Sequence, residues 1–176
     1  MKRFSLINKI TGWIVFVIAA TVYLLTIEPT VSFWDCGEFI ASGFKLEVGH
    51  PPGAPFYMLL TRIASLFASD TAQVAKMTNS LSALASAFTI LFLFWTITHL
   101  ARKIFPVDNS QANLWAVIGS GLVGALAFTF SDTFWFSAVE SEVYALSSMV
   151  TALVFYAILK WENVADQQYS NRWIIL

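Results

Sequence analysis

Four apolar runs, each long enough to cross a bilayer, constrain this chain more than any other feature. They lie at about 10–27, 81–100, 114–130 and 143–161, and roughly 20 apolar residues are what a helix needs to span the hydrocarbon core. Inside lipid every backbone amide must be bonded within the protein, which leaves helices or a closed barrel. Continuous runs of this length, without strand alternation, select helices. The expected fold is all-α, a multi-span transmembrane helical bundle. Of the 176 residues, 57% are hydrophobic and 12% charged, so residues 1–176 form one membrane domain with no room for a separate soluble one. A net charge of −1 favours no particular partner beyond the lipid bilayer, and no nucleic-acid partner is expected. The single cysteine, Cys36, excludes an internal disulfide and a Cys-based zinc cluster.

Lys2, Arg3 and Lys9 precede the first run, which is longer than the apolar region of a cleaved leader. No A-x-A site follows it, because Ala20 has Ile18 at the −3 position, so a retained signal anchor is expected. At the far end Trp173-Ile-Ile-Leu reads as the opening of a fifth span, and the chain as the N-terminal piece of a larger protein. Lys2, Arg3, Lys9, Arg102, Lys103, Lys160 and Arg172 fall on one side of the membrane, and Lys45, Arg62 and Lys76 on the other. The positive-inside rule therefore places the N-terminus in the cytosol.

The acids sort the opposite way. Glu28, Asp35, Glu38, Glu47, Asp70, Asp132, Glu140 and Glu142 are expected outside, with Asp108, Glu162 and Asp166 inside. Many such charges simply solvate a loop, but here they are divided between two separate outer segments. The first, residues 28–80, is long and internally structured. Asp35 to Leu46 can form a short helix with Asp35 and Glu38 on one face, stopped by Gly49-His50-Pro51-Pro52-Gly53-Ala54-Pro55. Residues 56–67 form an apolar helix too short to span, expected to lie in the interface with Arg62 near lipid headgroups. Asp70 and Gln73 resemble a capping box for the helix that becomes the second span.

The second acidic segment joins the third and fourth spans, from Ser131 to Tyr144. Its aromatics fit an interfacial belt. On a continuous helix Glu140, Tyr144, Ser147, Ser148 and Thr151 share one face, a polar stripe entering the fourth span, and such residues usually face a bundle interior or an aqueous cavity. Glu142 then points nearly the opposite way, so helical periodicity alone prefers Glu140 as the site carboxylate.

The elements Asp35-Cys36-Gly37-Glu38 and Gly49-His50-Pro51-Pro52-Gly53, followed by Pro55 and Phe56, resemble the signature of a polytopic membrane family long known only as a domain of unknown function. That family has bacterial members, many from Bacteroidetes, and a vertebrate endoplasmic-reticulum protein O-mannosyltransferase. Its members resemble GT-C glycosyltransferases, which take a sugar from a polyprenyl-phosphate carrier and keep an acid in the first outer loop. Glu142-Val143-Tyr144-Ala145-Leu146 is similar to a second family segment whose matched acid is the glutamate before valine, so resemblance points to Glu142 where periodicity points to Glu140. A helix that starts at Ser141 or later would remove the geometric objection to Glu142, and both stay candidates.

The resemblance implies a membrane glycosyltransferase in the bacterial inner membrane. It would move a hexose, mannose in the most specific version, from a polyprenyl-phosphate sugar to Ser or Thr of an exported protein on the non-cytosolic face. It implies no cofactor beyond the lipid-linked donor and no metal. Such transfer needs a base for the acceptor hydroxyl and cations for the departing phosphate. Asp35 is the expected base, with Glu38 and Glu142 as the other catalytic carboxylates. His50, Arg62 and Lys45 are candidates for the phosphate, and Glu140 and Tyr144 for substrate. Two rivals use the same residues. One is a metal site built from Asp35, Glu38, His50 and a second-loop Glu, although no H-E-x-x-H or D-x-D element is present. The other is a transporter or ion-coupled carrier with an acidic entry site, although no span carries a charge at its midpoint.

Overall fold

A computed structural model describes residues 2–51, 53–107, 110–167, 169–173 and 175. Among them every regular element is helical: α1 (Lys2–Leu25), α2 (Cys36–Lys45), α3 (Pro55–Ser65), α4 (Val74–Ile104), α5 (Gln111–Thr129), α6 (Asp132–Ala138) and α7 (Val143–Glu162), with short 3₁₀ turns at Thr71–Gln73 and Ser170–Trp173. Four segments, Lys2–Leu25, Thr71–Ile104, Gln111–Thr129 and Val143–Glu162, are long and apolar enough to cross a membrane. The fold is the multi-span helical one expected from the sequence. Pro52, Asp108 and two residues of the expected fifth-span opening, Ile174 and Leu176, lie outside the described residues.

Element ends follow local chemistry, and several differ from the apolar runs. The first helix stops at Leu25, before the run's end at 27, where Thr26 returns its Oγ1 to the Val22 carbonyl at 2.8 Å. Glu28 precedes Pro29, and a residue before proline is pushed out of helical geometry. The second spanning helix begins earlier than its apolar run, because Asp70 accepts the Gln73 amide at 3.0 Å and caps a start outside the apolar segment. At 31 residues, α4 measures about 46 Å, longer than the hydrocarbon core. The helix expected at 56–67 runs from Pro55 to Ser65, with proline at its first position, where a missing amide proton costs nothing. Its length of about 16 Å cannot span.

The chain divides into two compact units. One takes α1 up to Ala19, α4 from Phe88, all of α5, and α7 from Met149. Trp13, Phe16, Phe88, Phe92, Trp95 and Tyr156 form its aromatic cluster, in which Phe16 and Phe88 lie 4.7 Å apart and Trp95 and Tyr156 5.5 Å apart by ring centroid. The other unit takes Ala20–Ala87 and Phe130–Ser148 and contains both acidic segments. In it α2 rests on the start of α4 through Cys36, Ile40, Val74 and Ala75. It also packs on α3 through the Phe39 and Tyr57 rings, 5.5 Å apart and edge to face.

Where α2 and α3 are closest, Gly43 faces Thr61. A β-carbon at Gly43 would sit 2.5 Å from Thr61 Cγ2 and 2.7 Å from its Cβ, so only glycine allows this approach. Gly43→Val is expected to lower the thermal midpoint of the detergent-purified chain by about 5 °C, as overpacking of a tight contact does. Adding Thr61→Ala should recover part of that loss. An unchanged midpoint in Gly43→Val would contradict the close packing.

Candidate functional site

Asp35 is the N-cap residue of α2, not part of its first turn, and its side chain makes no capping hydrogen bond. The carboxylate is therefore not spent on the helix, and it is 57% exposed. One turn into α2, Glu38 reaches the His50 turn. Its Oε1 accepts the His50 amide at 2.6 Å and its Oε2 meets the His50 Nδ1 at 3.0 Å. A carboxylate can only accept, so Nδ1 carries the proton, and Nε2 is left 3.9 Å from Asp35 Oδ2. The turn itself is closed by the Gly53 amide, which donates to the His50 carbonyl at 2.9 Å with Gly53 at φ 76°. Positive φ is a region glycine enters without strain.

Electrostatics follow from this clip. The two hydrogen bonds from His50 hold the Glu38 carboxyl below its usual range. The hydrogen bond and charge of Glu38, then the charges of Asp35 and Glu142, raise His50 above the ordinary imidazole value.

The second acidic segment enters the same unit as the short helix α6 followed by non-helical chain. The fourth spanning helix starts at Val143, so residues 139–142 are not helical, and the stripe that favoured Glu140 does not extend to it. Both glutamates are buried, at 4% and 5% exposed, but they meet different neighbours. Glu140 bonds Ser32 and feels Glu28, while its Oε2 has no partner among the described residues. Glu142 feels Asp35 and His50. Desolvation first, then the charges of Glu140 and Asp35, push it up to about 7. Glu142 is thus the second-segment acid coupled to the Asp35–His50 pair.

The remaining candidates are engaged with other partners or exposed. Arg62 donates to the Phe44 carbonyl at 2.7 Å and sits over the Phe44 ring. Lys45 pairs with Glu47 at 3.7 Å, and Tyr144 is 64% exposed on α7.

Sequence reasoning passed over the polar groups that hold the two segments in place. Tyr57 is buried on α3, and its hydroxyl lies 2.8 Å from Ser141 Oγ and 3.4 Å from Ser82 Oγ. Burial, opposed by those two hydrogen bonds, raises its phenol. Asn79, fully buried on α4, donates to the carbonyls of Glu28 and Thr30 at 2.8 and 3.1 Å. The available signal was Asn79, Ser82 and Ser86 at helical spacing in an apolar helix, the intramembrane polar pattern read only in the fourth span. As for metals, one ligand atom from each of Asp35, Glu38 and His50 lies within 4.8 Å of the others. Both Glu38 oxygens and Nδ1 already serve the clip, so a cation there would have to displace it.

Fold and site together define a multi-pass helical membrane protein with a carboxylate–histidine centre in the segment between its first two spans. The sequence model described as the protein O-mannosyl-transferase TMEM260 N-terminal domain matches residues 35–176, and the chain belongs to that family. A Mus musculus relative named protein O-mannosyl-transferase TMEM260 is 30% identical over 159 residues, which cover 90% of this chain and 20% of the relative. One from Dictyostelium discoideum, with the same name, is 28% identical over 144 residues, or 81% of this chain and 16% of its own length. The chain thus spans a fifth or less of these relatives. No solved structure matches it.

The raised Glu142 makes a signed prediction. A carboxyl with a raised folded-state value binds more protons folded than unfolded, so its contribution falls as pH rises from about 4.5 to about 7. Glu142→Gln removes that loss. In purified protein it is expected to raise the thermal midpoint at pH 8 by about 3 °C, the scale of one kcal/mol in a chain this size, and to flatten the dependence between those values. A lowered midpoint at pH 8 would count against it. Glu38→Gln is expected to bring the His50 titration, followed by NMR, down towards the ordinary imidazole value.

Proposed function

We propose that this chain forms the N-terminal part of a membrane glycosyltransferase. It would transfer a hexose, mannose in the most specific version, from a polyprenyl-phosphate donor to Ser or Thr hydroxyls of exported proteins. The names of the relatives support the reaction class. The observation that carries the reading is Asp35: an exposed carboxylate with no capping bond, 3.9 Å from the His50 Nε2, which Glu38 orients from the far side of the ring.

In this reading the acceptor oxygen attacks the anomeric carbon as the bond from that carbon to the phosphate oxygen breaks. The bonding pair leaves with the phosphate, and the hydroxyl proton passes to Asp35. A base at hydrogen-bonding distance contributes about 10²–10⁴-fold. His50, favoured in its charged form by its carboxylate neighbours, supplies positive charge where the phosphate departs. Glu38 is a positioning residue that acts through His50. Glu142, pushed up to about 7 chiefly by desolvation, can present either a proton or a charge to the sugar hydroxyls. Arg62 and Lys45 would act on the phosphate only after leaving their present partners. The centre then lies on the non-cytosolic face of a bacterial cytoplasmic membrane, an orientation supported by the seven of ten basic residues that fall on the other side.

Asp35→Asn, in cells lacking the wild-type copy, is expected to remove the hexose increment from the intact masses of exported proteins. With the purified full-length protein the rate should fall by at least about 100-fold. Activity is expected to survive EDTA, since the clip uses the ligand atoms itself. Unchanged exported masses in Asp35→Asn cells would sink the assignment of the base.

A further inference from the structure

Away from the candidate site, helical spacing brings three cations to one cavity. On α1 Asn8 and Lys9 project near the helix start. On α4 Trp95, His99 and Arg102 recur at intervals of four and three, and on α7 Tyr156 and Lys160 at four; such spacings share a helix face. These faces line a cavity of about 500 Å³, and no carboxylate is among its lining residues. The neighbouring acid, Glu162, is taken by Lys103 at 2.7 and 2.5 Å. Lys9, Arg102 and Lys160 have no ion-pair partner among the described residues.

Long basic side chains at helix ends commonly reach for water singly. Two observations go beyond that here. Aromatic rings hold the cationic heads, with Arg102 4.6 Å over Phe4 and Lys160 5.2 Å over Tyr156, which limits their freedom to turn outward. In addition, Asn8 Oδ1 is buried with no hydrogen-bond partner, while the Asn8 backbone carbonyl accepts Trp95 Nε1 at 3.3 Å. A buried acceptor in that state costs free energy until a donor arrives. The cavity therefore asks for several anionic oxygens and one hydroxyl on the same molecule, at the ends of membrane-spanning helices. Basic pockets between such helices take anionic lipid headgroups.

We propose that this cavity binds the headgroup of an anionic glycerophospholipid, with its phosphate on Lys9, Arg102 and Lys160 and a glycerol hydroxyl on Asn8 Oδ1. The purified chain in neutral detergent is titrated with phosphatidylglycerol, phosphatidylcholine or soluble glycerol 1-phosphate, and the thermal midpoint is read by tryptophan fluorescence. Phosphatidylglycerol is expected to raise the midpoint by about 5 °C, as a ligand well above its Kd does, and phosphatidylcholine to leave it unchanged. Arg102→Gln/Lys160→Gln should abolish the rise, and Lys76→Gln, outside the cavity, should keep it. If the double variant does not fold, Asn8→Ala should show a smaller rise, and 0.5 M salt should weaken the wild-type rise. Equal responses to both lipids, or a rise insensitive to all these changes, would overturn the site. A rise of the same size from glycerol 1-phosphate would overturn the lipid as its source.

Discussion

A buried amide secures the segment that carries the candidate base. Asn79 spends both amide protons on the carbonyls of Glu28 and Thr30, the stretch that leaves α1 with no helix of its own to bond it. Its Oδ1 is approached by the Cys36 thiol at 3.9 Å, at the first residue of α2. Unpaired carbonyls in an apolar setting are costly, so the position of this stretch is decided by where α4 offers donors. Glu28 extends the tie by donating its amide to the Val139 carbonyl at 3.1 Å, and Tyr57 adds a second tie through Ser141. The two acidic segments, about a hundred residues apart in sequence, are brought into one unit by these neutral polar contacts, and among the described residues no ion pair joins them.

That division of labour leaves the charged groups available. Asp35 is not used as a cap, and Glu38 is used once, on His50, with both oxygens. A histidine fixed at one nitrogen presents the other in a defined direction. Burying Glu142, first by removing water from it and then by bringing it near the charges of Glu140 and Asp35, raises its affinity for a proton. Groups displaced from their ordinary ionisation are common at functional centres, and the displacement here arises from the same contacts that hold the segments.

Several elements were legible before any coordinates because they rest on local rules. Apolar run length implied four spanning helices, the Asp70–Gln73 cap appeared as expected, and the G-H-P-P-G element marked a turn at His50. Boundaries shifted where a cap or a proline overrode hydropathy, as at Leu25 and at the start of α4. The short helix α6, Asp132–Ala138, was hidden among aromatics that read as a membrane belt. It is held by Trp135 Nε1 donating to Thr26 Oγ1 at 2.9 Å, a contact across more than a hundred residues that no local pattern carries.

The sequence by itself determined that this is a multi-span helical membrane protein with a polar, turn-rich insert bearing Asp35, Glu38 and His50. Hydropathy and turn chemistry act over a few residues and are written in order along the chain. Only the tertiary structure decided that Glu38 clips His50, that Lys45 and Arg62 are otherwise engaged, and that Glu142 rather than Glu140 is coupled to Asp35. Periodicity assumed a helix through residue 140. The helix starts at Val143 instead, and the non-helical chain before it is held by partners on α1's exit and α3 that only folding brings near.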